Sequence, residues 1–121
     1  MRHLRKGRKF GRVRNQRRAL FKTLLGSLVM REKIKTTEAR AKEARGKIDK
    51  LINKAKKAKD SANKALAIRE LKKSLPEQAV KKLAGEFLNK FSARNSGYAR
   101  VIKLNPRKSD AAKIAIIEFV E

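Results

Sequence analysis

A narrow apolar stripe in the middle of the chain sets the strongest limit on what this sequence can fold into. That stripe predicts an α-helix with one apolar face, running through about Lys59. Because most of its members are alanine, the helix suits close packing inside one domain better than a dimer seam. Glu38 and Glu43 each precede a lysine by four residues, so we expect ion pairs with Lys42 and Lys47. The stripe alternates spacings of three and four residues and consists of Ala41, Ala44, Ile48, Leu51, Ala55 and Ala58.

A second helix is predicted over residues 15–31. Leucines repeat there every four positions, at Leu20, Leu24 and Leu28, and a row of basic side chains repeats at the same spacing on another face. Gly26 weakens this helix locally, but a glycine also allows a close approach by a neighbouring element. We therefore expect one face of the helix to pack against the protein and the other to remain cationic.

Two further helices are predicted between residues 62 and 91. The first is short and weakly patterned, with apolar positions at Ala62, Ala65, Leu66 and Leu71. The second follows a helix start signal in which Pro76 occupies the first helical position. Its apolar residues are expected to be buried, and they are Val80, Leu83, Ala84, Phe87, Leu88 and Phe91.

The last quarter of the chain is rich in β-branched residues and has no helical period. Residues 98–104 and 113–120 predict an antiparallel hairpin, whose basic tip contains Pro106 as a turn residue. Residues 32–37 alternate in the manner of a short strand and supply a third member. The predicted fold class is α+β, with about four helices packed on a small mixed three-stranded sheet and a basic N-terminal arm outside it.

Positive charge is concentrated at the start of the chain. The sequence has 35 Lys and Arg against 11 Asp and Glu, a net charge of +24, and its first acidic residue is Glu32. Residues 1–14 have little to bury, so they predict an arm that orders only on a partner. Residues 15–121 are then one globular domain, which is what this length accommodates. Because so much like charge repels itself, the partner should be a polyanion.

Nucleic acid is the first candidate polyanion, and an anionic membrane surface is the second. Arginine forks suit bidentate phosphate binding and stacking on exposed bases, and phosphate contacts give affinity with little sequence information. Tyr98 is a further candidate for base stacking. The predicted RNA-binding residues are Arg2, His3, Arg5, Lys6, Arg8, Lys9, Arg12, Arg14, Arg17, Arg18, Lys22, Lys35, Arg94, Tyr98, Arg100, Lys103, Arg107 and Lys108.

Signals for catalysis and for cofactor binding are weak. The sequence has no cysteine, and its single histidine, His3, lies in the arm without a positioned partner. Gly7 and Gly11 follow no predicted strand, so they are not a dinucleotide fingerprint. We predict that the protein is not an enzyme and has no metal, cofactor or small-molecule substrate. Without an apolar run of spanning length or a signal peptide, we also predict a cytoplasmic protein.

Two other functions are compatible with the charge. An architectural DNA-binding protein would normally have a dimerisation seam or a minor-groove wedge. A membrane-active cationic protein would need an exposed helix with Leu and Phe opposite a Lys and Arg surface. Several mutually complementary apolar stripes argue instead for a core, and we do not expect an obligate homo-oligomer.

Short segments along nearly the whole chain carry a resemblance to a known family. In order and spacing they are similar to the bacterial-type large-subunit ribosomal protein number seventeen. The segments are Met1-Arg2-His3, Gly7-Arg8-Lys9, Gly11-Arg12, Arg18-Ala19-Leu20-Phe21, Gly26-Ser27-Leu28-Val29, Glu32-Lys33-Ile34-Lys35-Thr36-Thr37, Ala41-Lys42-Glu43, Gly97-Tyr98-Ala99-Arg100-Val101 and Asp110-Ala111-Ala112-Lys113-Ile114-Ala115-Ile116-Ile117-Glu118.

The resemblance implies an α+β domain whose basic extension is embedded in large-subunit ribosomal RNA. It also implies a place near the rim of the polypeptide exit tunnel, beside neighbouring large-subunit ribosomal proteins, and no enzymatic activity. The expected location is therefore the ribosome of the cytoplasm.

Overall fold

The computed structural model describes residues 7–60 and 64–120 of the chain. Predictions that concern Arg2, His3, Arg5, Lys6 and Ala62 lie outside these residues. In chain order the elements are α1 (Arg14–Arg31), β1 (Lys33–Thr37), α2 (Glu38–Asp60), α3 (Lys64–Ser74), α4 (Glu77–Leu83), a 3₁₀ helix (Glu86–Phe91), β2 (Ala99–Lys103) and β3 (Ile114–Phe119).

The three strands form one sheet in the order β1-β3-β2, and both pairings are antiparallel. Ile117 of β3 pairs with Ile34 on one side and with Val101 on the other. The α+β class and the C-terminal hairpin are confirmed, but the expectation of a mixed sheet was wrong. β1 and β2 run in the same direction, and a mixed sheet would have required them to be neighbours. Because β3 lies between them, every pairing is antiparallel.

Helix α2 is the central element of the core. All six members of the predicted apolar stripe are buried along it, together with Ile52. One side of α2 packs against the sheet, and its later part packs against α3. The predicted helix is therefore confirmed, and its narrow alanine face allows these neighbours to approach closely. All six residues of the stripe are therefore buried within this one domain.

Helix α1 packs with a face rotated slightly from the predicted one. Phe21, Leu25, Leu28 and Val29 are buried, whereas the expected Leu20 and Leu24 lie at the edge of the contact and are only partly buried. The helix ends at Arg31, after which Glu32 adopts a left-handed conformation (φ 65°), and its backbone N–H donates to the Leu28 carbonyl (2.7 Å). This cap turns the chain directly into β1.

Gly26 provides the close approach that the sequence predicted. A Cβ atom at this position would lie 2.6 Å from both Cγ and Cδ of Pro76, far inside van der Waals contact. The absence of a side chain at Gly26 therefore lets the start of α4 rest directly on the surface of α1.

Helix α3 and the region after it depart from the sequence pattern. Leu71 is buried as expected, but Ala65 and Leu66 are exposed, since α3 packs through Ile68 and Leu71 instead. The single fourth helix that was predicted is interrupted at Gly85. Its backbone there is extended (φ −96°, ψ −151°), so α4 ends at Leu83 and a separate 3₁₀ helix follows.

That interruption re-aims the aromatic side chains of the 3₁₀ helix. Phe87 and Phe91 both pack edge-on or tilted against Phe119 of β3, with ring centroids 5.2 and 5.4 Å apart respectively. Ala84, just before the break, is only partly buried. The aromatic cluster thus closes the end of the core where the last turn of the predicted helix would have stood.

Residues 7–13 precede α1 and contact the domain through the side chains of Arg8 and Phe10. The ring of Phe10 packs edge-on against Phe21 (5.3 Å between centroids), and Arg8 Nη1 lies 2.7 Å from Glu43 Oε1. Helix α1 begins at Arg14, close to the predicted start of the domain. The second half of the predicted arm therefore has a place against the domain in this conformation.

Candidate nucleic-acid interface

The one acidic side chain of the three strands, Glu118, is paired with nearby cations. Glu118 of β3 accepts a hydrogen bond from Arg100 Nε (2.8 Å) and lies 3.7 Å from Lys33 Nζ. The Arg100 hydrogen bond holds the pKa of Glu118 below its ordinary value, against a smaller opposing effect of burial, and the charges of Arg100 and Lys33 add to it. Glu118 therefore stays ionised and offsets part of the charge of two exposed cations.

Glu38 at the start of α2 plays the same part. It pairs with Lys42 (2.8 Å) and lies 3.6 Å from Lys103 of β2. The hydrogen bond from Lys42 is the main cause of its lowered pKa, burial opposes it, and the charges of Lys42, Lys103 and Lys113 lower it further. The predicted Glu38–Lys42 pair is confirmed. Glu43 instead pairs with Arg8, so the predicted Glu43–Lys47 pair is not formed.

The basic tip between β2 and β3 is ordered by one acid. Arg107 donates to both carboxylate oxygens of Asp110 (3.0 and 3.2 Å), and the backbone N–H of Ala112 donates to the same carboxylate (3.1 Å). The Ala112 hydrogen bond is the largest cause of the lowered pKa of Asp110, and the hydrogen bond from Arg107 is the second largest. Lys108, beside this pair, is exposed and has no carboxylate partner among the described residues.

A groove between α1, α2 and α3 collects a large group of cations, and we call it the α1–α3 groove. Seven basic side chains line it, with Glu70 as its one acidic side chain among the described residues. Its floor contains Phe21, Leu25 and Leu51. The basic residues are Arg17, Arg18 and Lys22 from α1, Lys47, Lys50 and Lys54 from α2, and Lys73 from α3.

Only the α1 wall of this groove was predicted as a site. The four lysines of α2 and α3 were missed, although Lys47, Lys50 and Lys54 follow one another at spacings of three and four residues. That spacing is a signal for one helix face. The sequence does not tell which neighbour the face meets, and the groove exists only because α1 and α3 flank α2.

A second cationic cleft lies between β1 and the tip that follows β2, and we call it the β1–tip cleft. It brings together three predicted residues, Lys35, Arg107 and Lys108, with Arg40, which was not predicted. The remaining lining is uncharged and consists of Thr36, Thr37, Asn105, Pro106 and Ile114. No carboxylate of the described chain lines this cleft.

Tyr98 does not belong to the interface, and its prediction as an RNA-binding residue was wrong. The side chain is fully buried, so its ring offers no face to a base. Its hydroxyl donates to Asn53 Oδ1 (2.6 Å) and accepts from Lys56 Nζ (2.9 Å), while its backbone N–H donates to Asp49 Oδ1 (3.1 Å). These contacts fasten the segment before β2 to α2, which is a structural role.

The other predicted residues differ in their solvent exposure and in their hydrogen bonds to the rest of the protein. Arg94 is half-buried, and its Nη1 donates to the Gly97 carbonyl (3.4 Å). Arg12 and Arg17 donate to backbone carbonyls, Arg12 to Phe10 (2.7 Å) and Arg17 to Arg12 (3.2 Å). Of the predicted residues, the exposed cations without a carboxylate partner in the described chain are Lys9, Arg14, Arg18, Lys22, Lys35 and Lys108.

We expect replacement of Tyr98 by phenylalanine to destabilise the protein by about 1–3 kcal/mol, because it leaves the partly buried side chains of Asn53 and Lys56 without their hydrogen-bond partner. RNA affinity of the folded protein should be unchanged, since the ring contacts only the protein. Urea unfolding followed by circular dichroism measures the first effect, and titration with RNA measures the second. An unchanged unfolding midpoint with weakened RNA binding would show that the hydroxyl serves the interface.

Other kinds of site were sought in the same residues. Across residues 7–60 and 64–120, no group of three or more His, Cys, Asp or Glu is arranged to hold a metal ion. No helix in that part of the chain is long and apolar enough to cross a membrane.

Comparison with known proteins agrees with the resemblance seen in the sequence. The family model described as ribosomal protein L17 matches residues 20–120. The chain belongs to this family. Because it is a family of ribosomal proteins, membership confirms the expected location in the ribosome of the cytoplasm, and the family is a structural rather than an enzymatic kind.

Individual relatives match over nearly the full length. A large ribosomal subunit protein bL17 from Chlorobium chlorochromatii is 46% identical over 98% of this chain and 76% of its own length. Proteins of the same name from Staphylococcus epidermidis and Staphylococcus carnosus are 41% and 42% identical, over 93% of this chain and 98% of theirs. The matches thus include both the helices and the sheet that form the two cationic clefts.

Proposed function

We propose that this L17-family protein binds and stabilises folded large-subunit ribosomal RNA as a structural constituent of the large ribosomal subunit. The observation that carries the proposal is the collection of basic side chains in the α1–α3 groove and the β1–tip cleft, where carboxylates are nearly absent. Each clustered cation can neutralise a phosphate, which lets RNA segments pack closely.

The pairing of the acids supports this proposal. Glu38, Glu43, Glu118 and Asp110 are each held by cations outside the α1–α3 groove. These carboxylates therefore offset positive charge along the sheet, at the start of α2 and at the tip, and not in the groove. The groove keeps its positive potential, and a low-dielectric wall of protein beside it strengthens the field that an approaching phosphate meets.

Residues 1–14 serve in this proposal as a basic arm that threads between RNA segments, and residues 15–121 as the domain that holds the arm in register. We also propose a position near the polypeptide exit tunnel, beside other large-subunit proteins, which is what the family resemblance implies. We further propose that the protein works as one copy, since the apolar stripe of α2 is buried inside its own domain.

The alternative of an architectural DNA-binding protein is weakened by the same burial. That alternative used the apolar stripe of α2 as a dimerisation seam. In the folded chain Ala41, Ile48 and Ala55 already pack against α2's own neighbours, so the stripe has no surface left for a second copy.

Binding to folded fragments of large-subunit RNA and to duplex DNA, each at two salt concentrations, tests the proposal. We expect the RNA to bind about 1000-fold more tightly than the DNA, which is a normal margin of specific over non-specific binding. The preference should survive added salt. Equal and steeply salt-sensitive binding to both would reject the proposal in favour of a generic polycation.

A further inference from the structure

We infer that the α1–α3 groove is a binding site for the sugar-phosphate backbone of a single RNA strand. The inference rests on the proposed function and deepens it by naming the kind of RNA contact and the helices that make it. It is separate from the basic arm, because all seven groove cations lie on α1, α2 and α3, after residue 14.

The cations of the groove are arranged in rows. On α2, Lys47, Lys50 and Lys54 recur about once per turn and span about 10 Å along the helix axis. On the opposite wall, Arg18 and Lys22 of α1 are one turn apart, or about 6 Å. Two facing rows of this kind suit a thin ligand that carries charge along its length, rather than a compact anion.

These cations are also available for a ligand. Among the described residues, none of the seven forms an ion pair with a carboxylate, whereas Arg100 and Lys103 on the sheet both do. Lys47 instead lies over the ring of Phe21, with its Nζ 5.1 Å from the centroid. A phosphate that enters the groove therefore gains its contacts without first breaking an internal ion pair.

The floor of the groove indicates backbone contact rather than base reading. Phe21, Leu25 and Leu51 are the apolar floor residues, and each is at most 6% exposed. No aromatic face is open for a base to stack on, so bases would point out of the groove. Contact through phosphates alone gives affinity without a sequence preference.

An acidic peptide is the other macromolecule with suitable charge, and the floor argues against it. Peptides that bind grooves usually gain affinity from apolar side chains that fill pockets. The floor residues of this groove are nearly fully buried and offer a peptide little apolar surface, whereas a phosphate backbone needs only the rows of cations. We therefore assign the groove to RNA.

Two double variants with equal change in charge test the assignment. The groove variant is Lys54→Gln with Lys73→Gln, and the matched control is Lys57→Gln with Lys72→Gln, on the same two helices but outside the groove. All four lysines are exposed, and glutamine has nearly the helix propensity of lysine. Circular dichroism checks that both variants keep the fold.

The probe is a short oligouridylate, whose affinity for the full-length protein is measured by fluorescence anisotropy over a range of salt concentrations. Losing two phosphate contacts should lower the slope of log affinity against log salt by about 1.4 in the groove variant. The control should keep the slope of the unaltered protein. Equal losses in both variants would overturn the assignment, because they would show general attraction to the whole surface.

Two further comparisons complete the test. If a polyglutamate peptide binds more tightly than the oligouridylate, and only the groove variant loses that binding, the occupant is an acidic peptide and the RNA assignment is wrong. If the groove variant fails to fold, Lys50→Gln against Lys57→Gln makes the same comparison with one charge. Failure of the proposed function is seen separately, as a loss of preference for folded ribosomal RNA over duplex DNA by the unaltered protein.

Discussion

Replacing Phe91 with alanine is expected to lower the free energy of unfolding by about 3–5 kcal/mol. Phe91 is fully buried, and its ring lies 5.4 Å, centroid to centroid, from each of Phe87, Tyr98 and Phe119. It thus joins the 3₁₀ helix, the segment before β2 and the end of β3. A cavity among rings held by three different elements cannot collapse easily, so most of the transfer and packing energy is lost.

Urea unfolding followed by circular dichroism measures this loss, and Phe10→Ala is the matched control. Phe10 has one aromatic neighbour, Phe21, and is only partly buried, so water fills the space that its ring leaves. We expect the control to lose about 1–2 kcal/mol. Equal losses at the two positions would contradict the view that the aromatic cluster closes the core. The free energy of unfolding of a small domain is only about 5–15 kcal/mol, so part of the Phe91 variant should be unfolded even without urea.

The parts of the fold that could be predicted are those in which local pattern decides the structure. The stripe of α2 continues for about five turns with a single helical period, so both the helix and its buried face were predicted. The break at Gly85 was not, because one glycine inside a helical pattern either is tolerated or ends the helix. What decides it here is the contact of Phe87 and Phe91 with Phe119, which lies 28 or more residues further along the chain.

The candidate site divides in the same way. Sequence identifies which residues are cations, and it placed Arg18 and Lys22, two of the groove cations, on one basic face of the helix. The lysines of α2 that face them belong to a different element, and only packing of the helices brings the two rows together. Such a groove is a property of tertiary structure, which the periodicity of a single helix does not contain.

Tyr98 shows the opposite error, a residue assigned to the surface on a local pattern. The segment from Gly97 to Val101 has a weak likeness to the aromatic strand of an RNA recognition motif, which made Tyr98 a candidate for base stacking. Its burial depends on Asn53 and Lys56, which lie more than 40 residues earlier in the chain. Asn53 accepts a hydrogen bond from the Tyr98 hydroxyl, and Lys56 donates one to it. A buried tyrosine needs such a partner, and these partners become visible only once α2 is placed beside the start of β2.

Replacing Gly26 with alanine should destabilise the protein, although alanine is the better helix former. The new Cβ would meet two atoms of the Pro76 ring at 2.6 Å, and a proline ring has no flexible end that can move aside. Overpacking of this kind costs about 1–3 kcal/mol, against a gain of about 1 kcal/mol in helix propensity. Helix α4 must therefore shift away from α1, and we expect a net loss of up to about 2 kcal/mol.

Gly46→Ala provides the control with the opposite sign. Gly46 lies on the exposed side of α2, and a Cβ there would meet nothing within 4 Å, so only the gain in helix propensity remains. We expect stabilisation by about 0.5–1 kcal/mol. Thermal or urea unfolding of both variants measures the pair. If Gly26→Ala also stabilised the chain, the contact of α1 with Pro76 would not constrain the fold. Both glycines lie inside helices, and they differ mainly in whether another residue lies close to the position of the added Cβ.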